Sequence, residues 1–143
     1  MRIRPAALDD AEAIAPLLGE LGYPCSTEEA RERLGKLLGV AGIAVFVAEV
    51  EDALAGVEVV AELTALLHQP GRVAQITALV VGSSHRRVGA GKLLVEAAER
   101  WARDCGCARI LVASAEHRHD AHAFYASIGY RHTSRRFTKD LAP

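Results

Sequence analysis

The chain has 143 residues, with 17 basic against 18 acidic side chains and a formal net charge of −1 at pH 7. Half of the residues are hydrophobic and 24% are charged, a globular composition that excludes an intrinsically disordered chain. The length predicts one domain over residues 1–143. Because the charge is balanced and no apolar run approaches about 18 residues, we expect neither nucleic acid nor a membrane as partner.

The first part of the chain predicts a short strand and two helices. Ile3–Pro5 is strand-like, and apolar residues at helical spacing follow from Leu8 onward. Ser26 and Glu29 have the spacing of a capping box, in which each residue binds the backbone of the other at a helix start. A second helix is therefore expected directly after Ser26.

Three β-rich segments follow the helices and are separated by turn signals. They are Ile43–Val50, Leu54–Leu67 and Arg72–Val81. The alanine and leucine content of the second segment is also compatible with a helix, which stays the alternative there. Because short turns connect neighbouring antiparallel strands, whereas parallel strands need a long crossover, we expect an antiparallel meander.

After Gly82 the pattern alternates between helices and strands. The expected elements are a helix over Gly89–Cys105, a buried strand over Cys107–Ser114, a helix over Asp120–Ile128 and a closing strand over Tyr130–Leu141. The second of these would run parallel to the strand before it. The predicted fold class is α/β (α+β), with a mixed, mostly antiparallel sheet and helices on both faces.

The junction between the third β segment and the following helix carries the strongest functional signal. Gly89, Ala90 and Gly91 let a ligand approach the backbone closely, and the first N–H groups of a helix favour a phosphate. Three cations stand in the same turn: Arg86, Arg87 and Lys92. This combination predicts a pyrophosphate site, while tight packing by the two glycines is the structural alternative.

Two other phosphate-binding loops do not match this turn. A P-loop has Gly where Arg86 stands, and Ser or Thr where Leu93 follows the lysine. The dinucleotide fingerprint has a third glycine where Leu94 stands. Nucleotide binding by a loop of another type stays open.

The pattern Arg86-x-x-Gly89-x-Gly91, after a strand that ends in Leu79-Val80-Val81, resembles the pyrophosphate loop of the GNAT superfamily of acetyl-CoA-dependent N-acetyltransferases. The resemblance extends over essentially the whole chain through three further segments: Glu20-Leu21-Gly22-Tyr23-Pro24, Ala121-His122-Ala123-Phe124-Tyr125 and Gly129-Tyr130. It implies acetyl-CoA as co-substrate and a primary amine of a small molecule or a protein as acceptor. A homodimer is common in this family.

The resemblance also implies which residues contact the cofactor. They lie on the strand end, in the loop and at one later arginine: Leu79, Val80, Val81, Arg86, Arg87, Val88, Gly89, Ala90, Gly91, Lys92 and Arg118. The strand would act through backbone groups. Arg118 stands where family members commonly have Asn.

The implied reaction is direct attack of an amine on the thioester. It requires a neutral amine, stabilisation of the developing oxyanion and a proton for the departing thiolate. By the resemblance, Tyr125 is the general acid, because a phenol can donate a proton to a thiolate. Aromatic packing of Phe124 with Tyr125 is the structural alternative.

The general base is less determined than the acid. The strand on which many family members carry Glu has Gln75 and Thr77 instead. Glu58 and Glu62 share one side of the preceding segment, because strand side chains alternate, and Glu62 is our candidate base. The structural alternative for Glu58 and Glu62 is that each faces solvent or pairs with a cation. Glu20 is a further candidate for the general base. The missing strand glutamate leaves a non-catalytic acyl-CoA-binding module as the alternative function.

The remaining histidines and cysteines carry weaker signals. His117, His119 and His122 could serve a metal, but neither a cysteine nor a carboxylate pair accompanies them, and we expect no metal. One of them as a proton carrier stays open. The three cysteines lack a disulfide spacing and the N-terminus lacks an apolar secretory segment, which predicts reduced thiols in the cytoplasm.

Overall fold

The computed structural model describes residues 1–63, 72–113, 119–133 and 136–142. The chain divides into two compact units, Met1–Ala113 and Ser114–Pro143. The first unit contains β1 (Arg2–Pro5), α1 (Ala11–Leu21), α2 (Thr27–Leu37), β2 (Ile43–Val50), β3 (Ala53–Leu63), β4 (Arg72–Val81), α3 (Ala90–Asp104) and β5 (Cys107–Val112). The second contains α4 (His119–Ser127).

The described strands form one five-stranded sheet in the order β1-β2-β3-β4-β5. Pairing is antiparallel from β1 to β4 and parallel between β4 and β5. The parallel pair is possible because α3 supplies the crossover. The predicted mixed, mostly antiparallel sheet is confirmed.

Helices cover both faces of the sheet, as predicted. On one face, Val57 and Val80 are buried together with Leu17 of α1 and Leu34 of α2. On the other face, Leu94 of α3 belongs to a separate apolar cluster. Because neighbouring strand residues point to opposite faces, the two clusters are the two sides of one sheet.

The N-terminal elements are held by local polar contacts. The capping box is confirmed: Ser26 Oγ accepts from Glu29 N at 3.1 Å, and Glu29 Oε1 accepts from Ser26 N at 3.0 Å. Arg4 of β1 donates to both carboxylate oxygens of Asp10 at 2.9 Å and to Glu49 of β2 at 3.1 Å. Hydrogen bonding to Arg4 lowers the pKa of Asp10.

One β-bulge interrupts the β3–β4 ladder. Val59 pairs with Ala78, whereas Val60 pairs with Ile76, so Thr77 is the extra residue of β4. A bulge bends its strand and increases the local twist. The sequence pattern did not predict it, because the apolar run of β4 reads the same with or without an extra residue.

Two expectations for the C-terminal half are corrected. The side chains of β5 are half-buried or exposed, so β5 is not the buried strand that its apolar sequence predicts. The closing strand over Tyr130–Leu141 is wrong for its described part, because residues 130–133 and 136–142 have no strand conformation. Phe137 and Leu141 are 94% and 89% exposed, so the described part of this segment has no buried apolar face to support a strand. The last residues of the predicted second β segment, 64–67, lie outside the described part of the chain.

Candidate functional site

The second half of β4 has a strand partner on one side only. β5 pairs with β4 from Arg72 to Ile76, whereas β3 pairs with β4 as far as Val81. The β5 ladder stops at the bulge of Thr77. Within the described residues, the backbone edge from Thr77 to Val81 that is turned away from β3 therefore has no strand partner. An extended ligand with amide groups can pair with such an edge as an added strand.

The side chains at the end of this half-strand, from Leu79 to Val81, pack into the two cores. Val80 is 5% exposed and lies in the α1 face cluster, while Leu79 and Val81 pack on the α3 face. The backbone of these three residues lies along the sheet edge that has no strand partner in the described residues. Cofactor binding through the backbone of Leu79, Val80 and Val81 stays a prediction.

The N-terminus of α3 follows this strand and has no side-chain cap. Gly89 is its N-cap residue, and Leu93 N donates to Gly89 O at 3.1 Å as the first helical hydrogen bond. The N–H groups of Ala90, Gly91 and Lys92 therefore have no acceptor within the helix. The helix dipole adds partial positive charge at this end, so the turn suits an anion.

Gly89 is required here for its conformation and not for space. Its φ of +88° lies in the left-handed region, which residues with a β-carbon adopt at a cost. A β-carbon at this position would meet nothing within 4 Å. An incoming ligand therefore finds open space directly before α3.

The predicted cations and Val88 surround this N-terminus. Arg86, Arg87, Val88 and Lys92 are all exposed, so three positive charges are available to an anionic ligand. Arg87 itself has a φ of +65°, which is uncommon for a residue other than glycine. The loop thus combines strained backbone, open space and charge in one turn.

The open strand edge and the helix N-terminus lie next to each other. Ala90 and Leu94 of α3 are buried in the cluster that also contains Leu79 and Val81 of β4. The first turn of α3 is therefore packed against the half of β4 that lacks the β5 ladder. A ligand with an extended amide arm and a diphosphate could use both features.

The second unit contains the aromatic residues around Tyr125. The ring centroid of Tyr125 lies 5.2 Å from that of Phe124 and 5.8 Å from that of Tyr130. Tyr130 N donates to Tyr125 O at 2.9 Å after the end of α4. The three aromatic residues of the Phe-Tyr…Gly-Tyr pattern, Phe124, Tyr125 and Tyr130, thus form one cluster. The general-acid role of Tyr125 stays a prediction, and Arg118 lies outside the described residues.

Comparison with known families decides what kind of protein this fold represents. A model of the acetyltransferase (GNAT) family matches residues 11–130. The chain belongs to the GNAT acetyltransferase family. The resemblance inferred from the loop and the aromatic segment is confirmed. No match is found among curated protein sequences.

Solved structures confirm the GNAT fold. A transcriptional regulator from Bacillus halodurans is 22% identical, with a TM-score of 0.88 over 98% of this chain and 99% of that chain. An aminoglycoside 6'-N-acetyltransferase from Acinetobacter haemolyticus is 20% identical, with a TM-score of 0.84 over 99% and 100%. An aminoglycoside N-acetyltransferase in complex with CoA is 18% identical, with a TM-score of 0.86 over 99% and 95%.

Glu58 is not exposed to solvent in this GNAT chain. It is 0% exposed, and neither carboxyl oxygen has a hydrogen-bond partner in the described residues. Burial, together with the nearby charge of Glu99 on α3, raises the pKa of Glu58 to about 9. At neutral pH it is therefore a protonated acid within the α3 side of the sheet.

Glu62, the candidate base, is engaged with a cation. Its Oε1 lies 3.4 Å from a guanidinium nitrogen of Arg72, which also donates to Cys105 O at 3.1 Å. In the ladder it stands opposite Ala74, in the half of β4 that pairs with β5. The structure does not place it at the loop before α3. Its role as base stays a prediction.

Glu20, the other candidate base, contacts the loop directly. Ser83 N donates to Glu20 Oε1 at 2.9 Å, across 63 residues of sequence. This hydrogen bond, a further hydrogen bond from the Ser83 side chain and the charge of Arg86 all lower the pKa of Glu20. No periodicity or motif signals a contact between a helix end and a loop so far apart in the chain.

Two further observations concern classes of site considered from the sequence. In the described residues, no group of three histidine, cysteine or carboxylate side chains could hold a metal ion. Among the helices that the structure describes, none is both long and apolar enough to cross a bilayer. His117 and the side chain of His119 lie outside the described part.

Proposed function

We propose that this GNAT protein transfers an acetyl group from acetyl-CoA to a primary amine of a small molecule or a protein. One observation carries the proposal: the open backbone edge of β4 is packed against the uncapped N-terminus of α3, where three cations lie exposed. Acetyl-CoA has an extended amide arm and a diphosphate, and these two features suit the two halves of this site.

The chain offers a separate group for each part of the cofactor. The backbone of Leu79–Val81 suits the amides of the pantetheine arm, because it can donate and accept as a neighbouring strand does. The N–H groups of Ala90, Gly91 and Lys92 suit the diphosphate, and Arg86 and Arg87 add charge. The CoA complex of an aminoglycoside acetyltransferase with the same fold supports this assignment.

In the proposed reaction, the amine nitrogen forms a bond to the acetyl carbonyl carbon, and the carbon–sulfur bond breaks. A backbone N–H of the open β4 edge stabilises the negative charge that develops on the carbonyl oxygen. Tyr125 gives its phenolic proton to the departing thiolate, and the amine proton leaves through Glu62 or a water next to it. The products are an amide and CoA.

A second function, acyl-CoA binding without turnover, is favoured by the carboxylates of the structure. β4 carries Gln75 and Thr77 in place of a glutamate. Glu58 is buried, and Glu62 is paired with Arg72. A protein that binds acetyl-CoA but has no group to deprotonate an amine would act as a sensor of the acyl-CoA.

The rate of CoA release from acetyl-CoA with a panel of primary amines separates these functions. The proposal predicts that at least one amine raises the rate above hydrolysis and that an acetylated amine forms in equal amount. Tyr125→Phe is expected to lower kcat by about 10- to 100-fold with little change in the KM for acetyl-CoA. Tyr130→Phe, in the same aromatic cluster, is the matched control and should stay within about twofold. Tight binding without amine-dependent release would support the binding module instead.

A further inference from the structure

We propose that Glu20 is a positioning residue for the cofactor loop, because its carboxylate holds the backbone of Ser83 at the point where the loop leaves β4. This inference rests on the proposed acyl-CoA site and adds a residue of α1 to it. It assigns Glu20 a role other than the general base that the sequence left open.

The contact is at the first peptide group beyond the strand. Gly82 N donates to Ala55 O at 2.7 Å, which continues the sheet, and Ser83 N then donates to Glu20 Oε1 at 2.9 Å. A 3₁₀ turn over Ser83–His85 follows, and Arg86 comes directly after it. The direction of the chain toward Arg86 is therefore set where Glu20 binds.

α1 is packed closely over this exit from the sheet. A β-carbon built on Gly82 would lie 3.0 Å from Leu17 Cδ2 and 3.6 Å from Glu20 Oε2. Leu17 and Glu20 are three residues apart and lie on the same side of the helix. Leu17 is 5% exposed and anchors α1 in the core. The carboxylate of Glu20 is thus presented by a fixed helix face and not by a mobile loop.

The position of Glu20 within α1 is unfavourable without this contact. It is the penultimate residue of Ala11–Leu21, where the helix dipole disfavours a negative charge. The Ser83 N–H and the positive charge of Arg86 compensate for it. Both interactions lower the pKa of Glu20, so its carboxylate is ionised at neutral pH and is a weak base.

The affinity for CoA tests the positioning role without any turnover. Glu20→Ala is expected to weaken CoA binding by about three- to tenfold, because the start of the loop loses its anchor. Glu20→Gln should recover most of the affinity, because its amide oxygen can accept the same N–H. With acetyl-CoA and an amine, Glu20→Ala should raise the KM for acetyl-CoA more than it lowers kcat. Glu12→Ala removes an exposed glutamate of the same helix and is the control.

A second variant removes the donor instead of the acceptor. Ser83→Pro deletes both the N–H group and the hydroxyl that hydrogen-bond to Glu20. Gly82 before it has φ −61° and ψ 146°, which is compatible with a following proline at the first position of a helical turn. In this background Glu20→Ala should have no further effect on CoA affinity. An equal loss in both backgrounds would overturn the inference, as would Glu20→Ala binding CoA like the wild type. A loss of kcat in Glu20→Gln as large as in Glu20→Ala would identify a base instead.

The failure of the proposed function would be recognised separately. If wild type binds CoA and no amine is acetylated, the acetyltransferase proposal fails, while the affinities of the Glu20 variants still decide the positioning role. If wild type does not bind CoA, both proposals are overturned. Thermal unfolding of each variant shows whether a lost affinity reflects loss of the folded state.

Discussion

Glu58 stands directly opposite Leu79 across the β3–β4 ladder. Its carboxyl group is fully buried and has no hydrogen-bond partner in the described residues, and its pKa is raised to about 9. A neutral acid therefore lies beside the half of β4 that forms the proposed cofactor edge. Ionisation of this group would place an unpaired charge within the core.

Replacing Glu58 by Gln is expected to remove a pH dependence of stability. In the folded state the pKa is about 9, against 4.5 for an ordinary glutamate, so unfolding releases a proton between these values. The contribution of Glu58 to the wild-type free energy of unfolding should be largest below about pH 4.5 and should fall with rising pH until about 9, by up to about 1.4 kcal/mol per pH unit. Glu58→Gln lacks this ionisation, so its stability relative to wild type should increase steadily from acidic pH to about pH 8.

Urea unfolding at several pH values measures this effect. Glu99→Gln is a useful partner variant, because the charge of Glu99 contributes to the raised pKa of Glu58. It should lower the pH at which the fall in stability ends, and so reduce the total change without abolishing it. Parallel stability curves for wild type and Glu58→Gln would contradict the assignment of a buried, protonated Glu58.

Replacing Gly89 by Ala is expected to destabilise the loop. A φ of +88° places the new β-carbon in an unfavourable backbone conformation, although the surrounding space is open. The free energy of unfolding should fall by about 1 kcal/mol, and CoA affinity should fall with it. Gly35→Ala in α2 is the control, because helix propensity should make it more stable by about 0.5–1 kcal/mol. If Gly89→Ala bound CoA as tightly as the wild type, the left-handed conformation of residue 89 would not be needed for binding, and this prediction would be wrong.

Replacing Arg86 by Ala is expected to weaken CoA binding by about 3- to 30-fold, through loss of one charge beside the diphosphate. Binding should also depend less on salt than in the wild type, because screening acts on fewer charges. Arg100→Ala is the matched control, since it removes an exposed arginine from α3 beyond its first turns. Isothermal titration of both variants at low and high salt measures the difference. Equal losses in the two variants would show only a general effect of charge.

Replacing Asp10 by Asn is expected to destabilise the junction of β1, β2 and α1. Arg4 donates to both Asp10 oxygens at 2.9 Å, and the side chain of Asp10 is 12% exposed. The loss should be about 1–3 kcal/mol near neutral pH. The pKa of Asp10 is lowered, so its contribution is present above about pH 3.8 and disappears as the pH falls through the lowered value. Chemical denaturation at neutral and acidic pH, with Asp9→Asn as control, checks both statements.

Local patterns predicted the elements that local chemistry determines. The limits of β2 and β4 agree with their β-branched runs, and α2 begins at its capping box. The turn before α3 was recognised because glycine, cation and strand end are neighbours in the sequence. These features need no knowledge of distant contacts.

Features that depend on tertiary contacts were not predicted. Alternation placed Glu58 and Glu62 on one side of a strand but gave no information on which helix covers that side. The bulge at Thr77 and the contact of Glu20 with Ser83 arise from pairing between segments far apart in the chain. The segment over Tyr130–Leu141 has strand-like residues, but a strand also needs a partner and a buried face.

Amide hydrogen exchange with and without CoA tests the proposed acyl-CoA site most directly. CoA is expected to slow exchange of the N–H groups of Ala90, Gly91 and Lys92 and of the open β4 edge from Thr77 to Val81. The first-turn amides of α2, which already carry the Ser26 cap, should not change. If exchange at the N-terminus of α3 and along Thr77–Val81 of β4 is unchanged with CoA present, the proposed site is contradicted.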